Sequence, residues 1–302
     1  MSKSQKILIT GVAGFLGSHL AERLTNMNHS VVGIDNMIGG YRDNVPENIE
    51  FHEIDCCDLN KVKEVMKGVD VVYHCAATAH EGLSVFSPYE ISKNNYLASI
   101  SIFTAAVNEK VKRIIFCSSM ARYGDQKTPF TESMKPKPVD PYAISKVAAE
   151  EVLANLCELN SIEWVIAVPH NIIGPRQKYD DPFRNVISIM LNRMLQGKQP
   201  IIYGDGEQQR CFSYIDDCLE PFWKAATSPL ASKQIINIGG TKDVTINDAA
   251  KTLIDVLPGD AEIQYLEERH EVKHAFSSHE KSVELLGFED TTSLKDGLQE
   301  MW

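Results

Sequence analysis

The sequence predicts the α/β class, a Rossmann-type doubly wound parallel sheet with a smaller α/β unit at its C-terminal end. Three observations carry that expectation. An apolar run, Ile7, Leu8 and Ile9, stops at Gly11 and gives way to Phe15, Leu16, Leu20 and Leu24 at helical spacing. The joint between them is Gly11-x-x-Gly14-x-x-Gly17. Beyond it, strand-like and helix-like segments alternate, the pattern of βαβ units and a parallel sheet.

A strand, a glycine turn and a helix start form the context of a phosphate-binding turn. Gly11 permits the tight turn, Gly14 lets the backbone approach a pyrophosphate, and Gly17 lets helix and strand pack closely. N–H groups at the helix start face the anion. The second strand, Ser30–Asp35, ends in a carboxylate about twenty residues beyond the glycines, where a ribose hydroxyl pair finds its partner. A polar loop, 36–45, follows. Ile49 to Ile54 reads as a strand closing on Asp55-Cys-Cys-Asp58, and Leu59 to Met66 as a helix. Val69 to Ala77 is a buried strand ending in small residues, Pro88 to Asn108 a long helix, and Arg113 to Ser119 the next strand. Ligands bind such sheets at strand ends, so Gly11, Asp35, Asp58, Ala76 and Ser119 are expected to share one crevice.

Asp140-Pro-Tyr142-Ala-Ile-Ser-Lys146 opens another helix, with Pro141 in its first turn. Tyr142 and Lys146 are four apart and share a face. An amine beside a phenol favours the phenolate, and a phenolate near neutrality can take the proton of an alcohol that is losing hydride.

After residue 170 the alternation lapses. Pro182 to Leu195 reads as an amphipathic helix, Pro200 to Tyr203 and Ile235 to Gly239 as strands, Val244 to Leu257 as a helix and Ile263 to Leu266 as a short strand. Arg210 follows a glycine turn and precedes an apolar strand, Cys211 to Ile215. The expected division is 1–170 for the dinucleotide-binding domain, with some later segments returning to it, and 171–302 for a second, lid-like domain.

A formal net charge of −11 and the lack of any basic run argue against nucleic acid or anionic membrane as partners. A phosphorylated small molecule needs only a few local arginines. The start of the chain leads straight into the first strand, without signal-peptide or membrane-spanning character, so the cytoplasm is the expected location. Seven scattered cysteines, with Cys56 and Cys57 adjacent, fit reduced, mostly buried thiols and no zinc spacing, and no metal is expected.

The sequence resembles the extended short-chain dehydrogenase/reductase family, in its nucleotide-sugar epimerase and dehydratase branch. The likeness runs from Lys6 to about Gly287. It rests on Thr10–Gly17, Asp35-Asn36, His74-Cys-Ala-Ala77, Asn95 within Asn-Tyr-Leu-Ala-Ser, Ser118–Gly124, Tyr142-x-x-x-Lys146, Asn171–Pro175 and Gly204–Arg210. The resemblance implies that Tyr142 is the acid/base on a sugar hydroxyl, that Ser119 shares that hydroxyl's hydrogen bond, and that Lys146 holds the nicotinamide ribose and tunes Tyr142. Asp35 would take the adenine ribose hydroxyls, its charge favouring NAD over NADP, and Asp58 would meet the adenine edge. Phe15, Leu16, Asn36, Leu59, Ala77, Asn95 and Pro169 match other cofactor-side positions. Ser84, Asn171, Asn185, Tyr203, Arg210 and Arg269 match positions that contact a nucleotide-diphosphate sugar. A homodimer through the helices around Asn95 and Tyr142 is implied as well.

The reaction turns on the residues after Ser119. The resembling 4,6-dehydratases carry an Asp-Glu pair there and the resembling uronate decarboxylases a glutamate; this chain has Met120 and Ala121. Expelling water needs a second acid/base, so the expectation is C4 epimerisation of a UDP-hexose through a 4-keto intermediate. The alternatives are an NAD(P)H-dependent 4-keto-sugar reductase and a non-catalytic NAD-sensing regulator. Three departures from the family pattern stand out. His170, in Val168-Pro-His-Asn171, is either a second acid/base or a pocket-wall histidine. Cys211 replaces the usual Asp. Glu81 is either catalytic or a plain loop carboxylate.

Overall fold

The computed structural model describes residues 4–181, 185–257, 261–268 and 274–302. The first half runs β1 (Lys6–Thr10), α1 (Phe15–Asn26), β2 (Ser30–Asp35), β3 (Glu50–Glu53), α2 (Leu59–Val65), β4 (Val71–His74), α3 (Glu81–Ser84) and α4 (Pro88–Ile91). A π-helical turn, Ser92–Leu97, then leads into α5 (Ala98–Glu109), β5 (Arg113–Cys117), α6 (Pro141–Asn160) and β6 (Glu163–Pro169). The second half runs β7 (Ile172–Ile173), α7 (Val186–Leu195), β8 (Ile201–Tyr203), β9 (Gln209–Cys211), β10 (Ser213–Tyr214), α8 (Ile215–Thr227) and β11 (Gln234–Ile238). It ends with β12 (Asp243–Thr245), α9 (Ile246–Val256), β13 (Gln264–Leu266), β14 (His274–Ala275), α10 (Glu280–Leu286) and α11 (Leu294–Met301).

Seven parallel strands form the central sheet in the order β11-β6-β5-β4-β1-β2-β3. Strand residues alternate between two cores, as pleating requires. Leu8, Ile114 and Phe116 face Ile102, Phe103, Ala149 and Leu153 of α5 and α6. Ile7, Ile9 and Ile115 face Leu20, Leu24 and Phe222 of α1 and α8. The chain order reverses at β1, between β2 and β4, the switch point beyond whose carboxyl strand ends such sheets leave a ligand crevice. A third apolar cluster joins Ile187, Met190, Ile202, Ile246, Leu253 and Leu298 within the second half.

Several elements differ from the sequence reading. The strand expected at 235–239 is β11, an edge of the central sheet, which pairs with β6 from Gln234↔Val165 to Ile238↔Pro169. The long helix expected over 88–108 is interrupted by the π turn, which places Asn95 at an expanded step in the backbone. The strand expected from Cys211 to Ile215 is divided between β9, which ends at Cys211, and β10, and Ile215 opens α8, whose internal Pro221 hides its helical pattern. α7 begins at Val186 with the Asn185 side chain accepting from Ser188 N; the Pro182 start expected from sequence lies outside the described residues. Among the described residues, no helix is long and apolar enough to cross a membrane.

Candidate active site

The glycine turn has no room for side chains. Gly11 adopts φ +71°, and a Cβ there would lie 2.8 Å from Ala76 Cα across the reversal point. A Cβ on Gly17 would fall 2.2 Å from Gly11 O, so α1 can close on the turn only without a side chain there. α1 starts at Phe15 with no side-chain cap and no acid in its first turn. The backbone N–H groups and the helix dipole are therefore left to an anion, and the cradle fits a pyrophosphate. Gly40, which sequence reasoning missed, packs on the same turn: its Cβ would sit 2.2 Å from Ala13 O.

Asp35 ends β2 nearly buried. Its Oδ2 accepts from Ala13 N at 3.0 Å and its Oδ1 from Met37 N at 2.8 Å, so it also clamps the turn. Burial raises its carboxyl above the usual range, and the Met37, Ala13 and Asn36 backbone N–H groups draw it back. Asn36 Oδ1 accepts from Ile38 N. Asp58 caps α2 through Lys61 N, and its carboxyl is lowered by that bond; Leu59 is the first residue of the helix.

A buried relay ties the ends of β1 and β4 to the π turn. Thr10 Oγ1 lies 2.7 Å from His74 Nδ1 and accepts from Ala76 N, while His74 Nε2 lies 2.8 Å from Ser99 Oγ. Ser99 donates to Asn95 O, which assigns the Nε2–H tautomer to His74. Asn95 fastens the segment after Ala76 and Ala77 by accepting from Thr78 N at 2.7 Å and donating to Thr78 O at 3.2 Å. Asn95 is thus a backbone clamp beside the crevice.

Ser119 follows the carboxyl end of β5, and Tyr142 and Lys146 lie in the first turns of α6, which Lys146 ties to that strand end two residues before Ser119. Ser119 Oγ accepts from Ala121 N at 3.1 Å, so its own proton remains to be donated. Asp140 caps α6 through Ala143 N, and Tyr142 and Lys146 lie on that helix's buried face, 6% and 3% exposed. Lys146 Nζ donates to Cys117 O at 2.8 Å and lies over the Phe116 ring. Burial brings its ammonium down to about 8, against the pull of Cys117, Cys75 and Glu150. One turn further along α6, Glu150 accepts from Ser118 Oγ and from Arg122 Nε and Nη2, an ion pair 2% and 4% exposed at Arg122 and Glu150.

Of the expected sugar-side residues, Ser84 is fully buried; its hydroxyl bonds Glu81 O and Asp140 Oδ1, fastening α3 to the cap of α6. Glu81 is exposed. Asn171 sits at φ +42°, and its buried Nδ2 has no hydrogen-bond partner among the described residues. That unpaired donor suits a ligand oxygen. Asn185 caps α7, Tyr203 ends β8 half-buried, and Arg210 lies in β9 with Nη1 on Gln209 O. Arg269 lies outside the described residues. Pro169 ends β6 beside Ile238.

His170 is buried against Gly239 with its ring tilted 30° to that of His279 and the two Nε2 atoms 3.1 Å apart. Burial, with Lys146 beside one and His279 beside the other, takes His74 and His170 down to about 3, and burial takes His279 down to about 4. The unfolded chain takes up these protons near 6.5 and the folded one does not, so stability falls as pH drops below that value. At pH 5, His74 and His170 are each expected to contribute a loss of about 2 kcal/mol. A Tm that stays level from pH 7 to 5 would contradict this.

Residues 175–181 bridge the crevice from one flank to the other. Pro175 O meets His19 Nε2 at 3.0 Å, Arg176 pairs with Glu22, and Arg176 O accepts from Asn44 Nδ2. Tyr41 donates to Asp180, and on the far side His80 Nε2 meets Asp181 Oδ2 at 2.6 Å. Phe15 and Leu16, half-buried, open α1, and the Phe15 ring meets edge-on the His19 ring that Pro175 O contacts. All seven cysteines are free of disulfides; Cys75 and Cys117 are neighbours, with Sγ atoms 3.4 Å apart. Among the described residues, no group of three or more His, Cys, Asp or Glu is placed to hold a metal ion.

Residues 7–239 match the NAD dependent epimerase/dehydratase family. The chain is similar to the UDP-N-acetylglucosamine 4-epimerase from Methanobrevibacter ruminantium, solved in complex with UDP-N-acetylmuramic acid: TM-score 0.93 and 32% identity, covering 99% of this chain and 97% of that one. It is similar to the UDP-glucose 4-epimerase of Thermotoga maritima, solved with UDP-glucose: TM-score 0.93 and 30% identity over 97% and 96% of the two chains. It is also 32% identical over 312 residues to the UDP-N-acetyl-alpha-D-glucosaminuronate decarboxylase of Bacillus cytotoxicus, covering 98% and 96% of the two chains.

Proposed function

Because the chain belongs to the NAD dependent epimerase/dehydratase family, we propose that it is an NAD-dependent epimerase acting at C4 of a nucleotide-diphosphate sugar, with a UDP-hexose as the substrate class. The observation that carries the reading is the bond from Lys146 Nζ to Cys117 O, which ties the Tyr142–Lys146 face of α6 to the strand end that Ser119 follows, with Met120 and Ala121 as the two residues next after Ser119. Neither Met120 nor Ala121 can protonate a leaving hydroxide or steer a decarboxylation.

Tyr142 takes the proton of the sugar's 4-hydroxyl and later returns it. Ser119, already an acceptor for Ala121 N, donates its hydroxyl proton to the same sugar oxygen. Lys146, as the ammonium, favours the phenolate of Tyr142 one helical turn away. Bound NAD would supply the reversible hydride acceptor for C4, and inversion would require the keto sugar to turn before the hydride returns to its other face. Gly11, Gly14, Gly17 and the start of α1 would hold the pyrophosphate of NAD, and Asp35 the adenine ribose. We assign the cofactor to residues 1–170 with β11, and the nucleotide sugar to the remainder of 171–302 through Asn171, Asn185, Tyr203, Arg210 and Arg269.

The bridge over the crevice supports an epimerase. An epimerase regenerates its cofactor each cycle and can keep it enclosed, whereas a reductase must exchange it. Enzyme purified without added cofactor is expected to convert at least one of UDP-glucose, UDP-N-acetylglucosamine and UDP-glucuronate. Failure with all three would overturn the reading, and turnover of a 4-keto sugar only with added NADH would replace it by the reductase.

A homodimer belongs to the same proposal. Phe86, Tyr89, Leu97 and Ile144 are 79, 75, 52 and 53% exposed on α6 and on the run from α3 into α5 that packs beside it. Exposed apolar surface of this kind marks an interaction face. Leu97→Glu/Ile144→Glu is expected to shift the sedimenting mass from two chains to one; an unchanged mass would remove this face from the account.

A further inference from the structure

We propose that Arg122 is a positioning residue of this site: paired with Glu150, it pins the strand end that carries Ser119 to α6 and compensates the carboxylate that stands one helical turn from Lys146. The inference rests on the catalytic reading above. Its geometry is a chain of contacts through the core. Glu150 stands four residues after Lys146 and eight after Tyr142, on the same buried face of α6. Its carboxylate accepts from Ser118 Oγ, from Arg122 Nε at 3.1 Å to each oxygen, and from Arg122 Nη2 at 3.0 Å. Ser118 is held to β6 by its N–H on Ala167 O, and Ser119 follows it directly. Arg122 leaves the same short helical turn that Ser119 caps, and its guanidinium lies over the Tyr123 ring. Glu150 therefore joins both ends of the Ser118–Arg122 segment to the helix of Tyr142 and Lys146.

The pair also balances charge. Lys146 is faced by the Cys117 and Cys75 thiols and neutral His74 from β5 and β4, and by Tyr142 and Glu150 from its own helix. Glu150 is the only carboxylate among these groups. On the far side of Tyr123, Glu132 accepts from Asn237 N. The Arg122 guanidinium compensates the buried Glu150 carboxylate, which would otherwise stand unpaired beside Lys146. The Lys146 ammonium is then kept close to its point of release, near 8.

The test separates charge from scaffolding. Gln at position 150 can still accept from Ser118 Oγ but carries no charge, so Glu150→Gln leaves Arg122 uncompensated below Lys146. In protein labelled with 15N-lysine, the Lys146 Nζ titration (assigned with Lys146→Met) is expected to move down by about one unit. The alkaline limb of kcat should move with it. In Arg122→Met/Glu150→Gln the pair is neutral again, and the titration should return to within about 0.3 unit of the parent. A midpoint unmoved in Glu150→Gln, or one that stays low in the double variant, overturns the proposal. If Glu150→Gln does not fold, Arg122→Gln leaves the opposite imbalance and must move the midpoint upward. A parent enzyme without turnover on any UDP-sugar would defeat the catalytic reading instead, and the lysine titration would still decide the role of Arg122.

Discussion

Tyr142→Phe is expected to lower kcat by about 10³-fold, within the usual range for removing a general acid/base, and to leave NAD bound. The side chain is 6% exposed on α6, so Phe fills the same space and the helix keeps its Asp140 cap. Lys146 retains its bond to Cys117 O, and the glycine turn is remote from the change. What disappears is one oxygen and its proton. Turnover on the best UDP-sugar, measured beside the NAD extracted per chain, separates loss of chemistry from loss of cofactor. A kcat within threefold of the parent would remove Tyr142 as the base.

Gly17→Ala is expected to cost the protein its cofactor. The added Cβ would lie 2.2 Å from Gly11 O and 2.8 Å from Gly11 C, both backbone atoms of the tight turn. Neither α1 nor β1 can yield easily, since Leu20 and Leu24 pack α1 into the core beside Ile7 and Ile9. Overpacking of this kind costs about 1–3 kcal/mol or more, and here the displacement falls on the backbone that receives the pyrophosphate. NAD affinity should fall by at least about 100-fold, with a lowered Tm. Isothermal titration of cofactor-stripped protein checks it, and an affinity within fivefold of the parent would place the pyrophosphate elsewhere. Gly40→Ala should act in the same direction, through Ala13 O.

The parts of the site that lie within one strand–turn–helix were legible from sequence. The Gly11–Gly17 turn, Asp35 at a strand end and the Tyr142–Lys146 pair are each set by local spacing, and each stands where that spacing put it. Parts that depend on distant pairing were not. Nothing near Asn95 signals that it clamps Thr78 through a π turn, because its partner lies 17 residues away. Arg122 and Glu150 are 28 residues apart, and an arginine beside Tyr123 reads as a surface residue until the fold buries it. His170 could be read two ways because its partner, His279, lies 109 residues further on. Pattern alone could not seat β11 at the edge of the central sheet, since a short apolar strand pairs equally well with any open edge. Ser84 and Asp58 were expected to face ligand; in the structure each also bonds within the protein, one to the cap of α6 and the other as the cap of α2.

The central claim is that a hydride leaves C4 of a bound UDP-sugar and returns to that same carbon, with Tyr142 handling the proton. Its most direct test is NMR of the product made from a UDP-sugar deuterated at C4, with no cofactor added. The account requires an inverted C4 centre that keeps its deuterium, with no net reduced cofactor released. An inverted product that carries solvent hydrogen at C4 would contradict it.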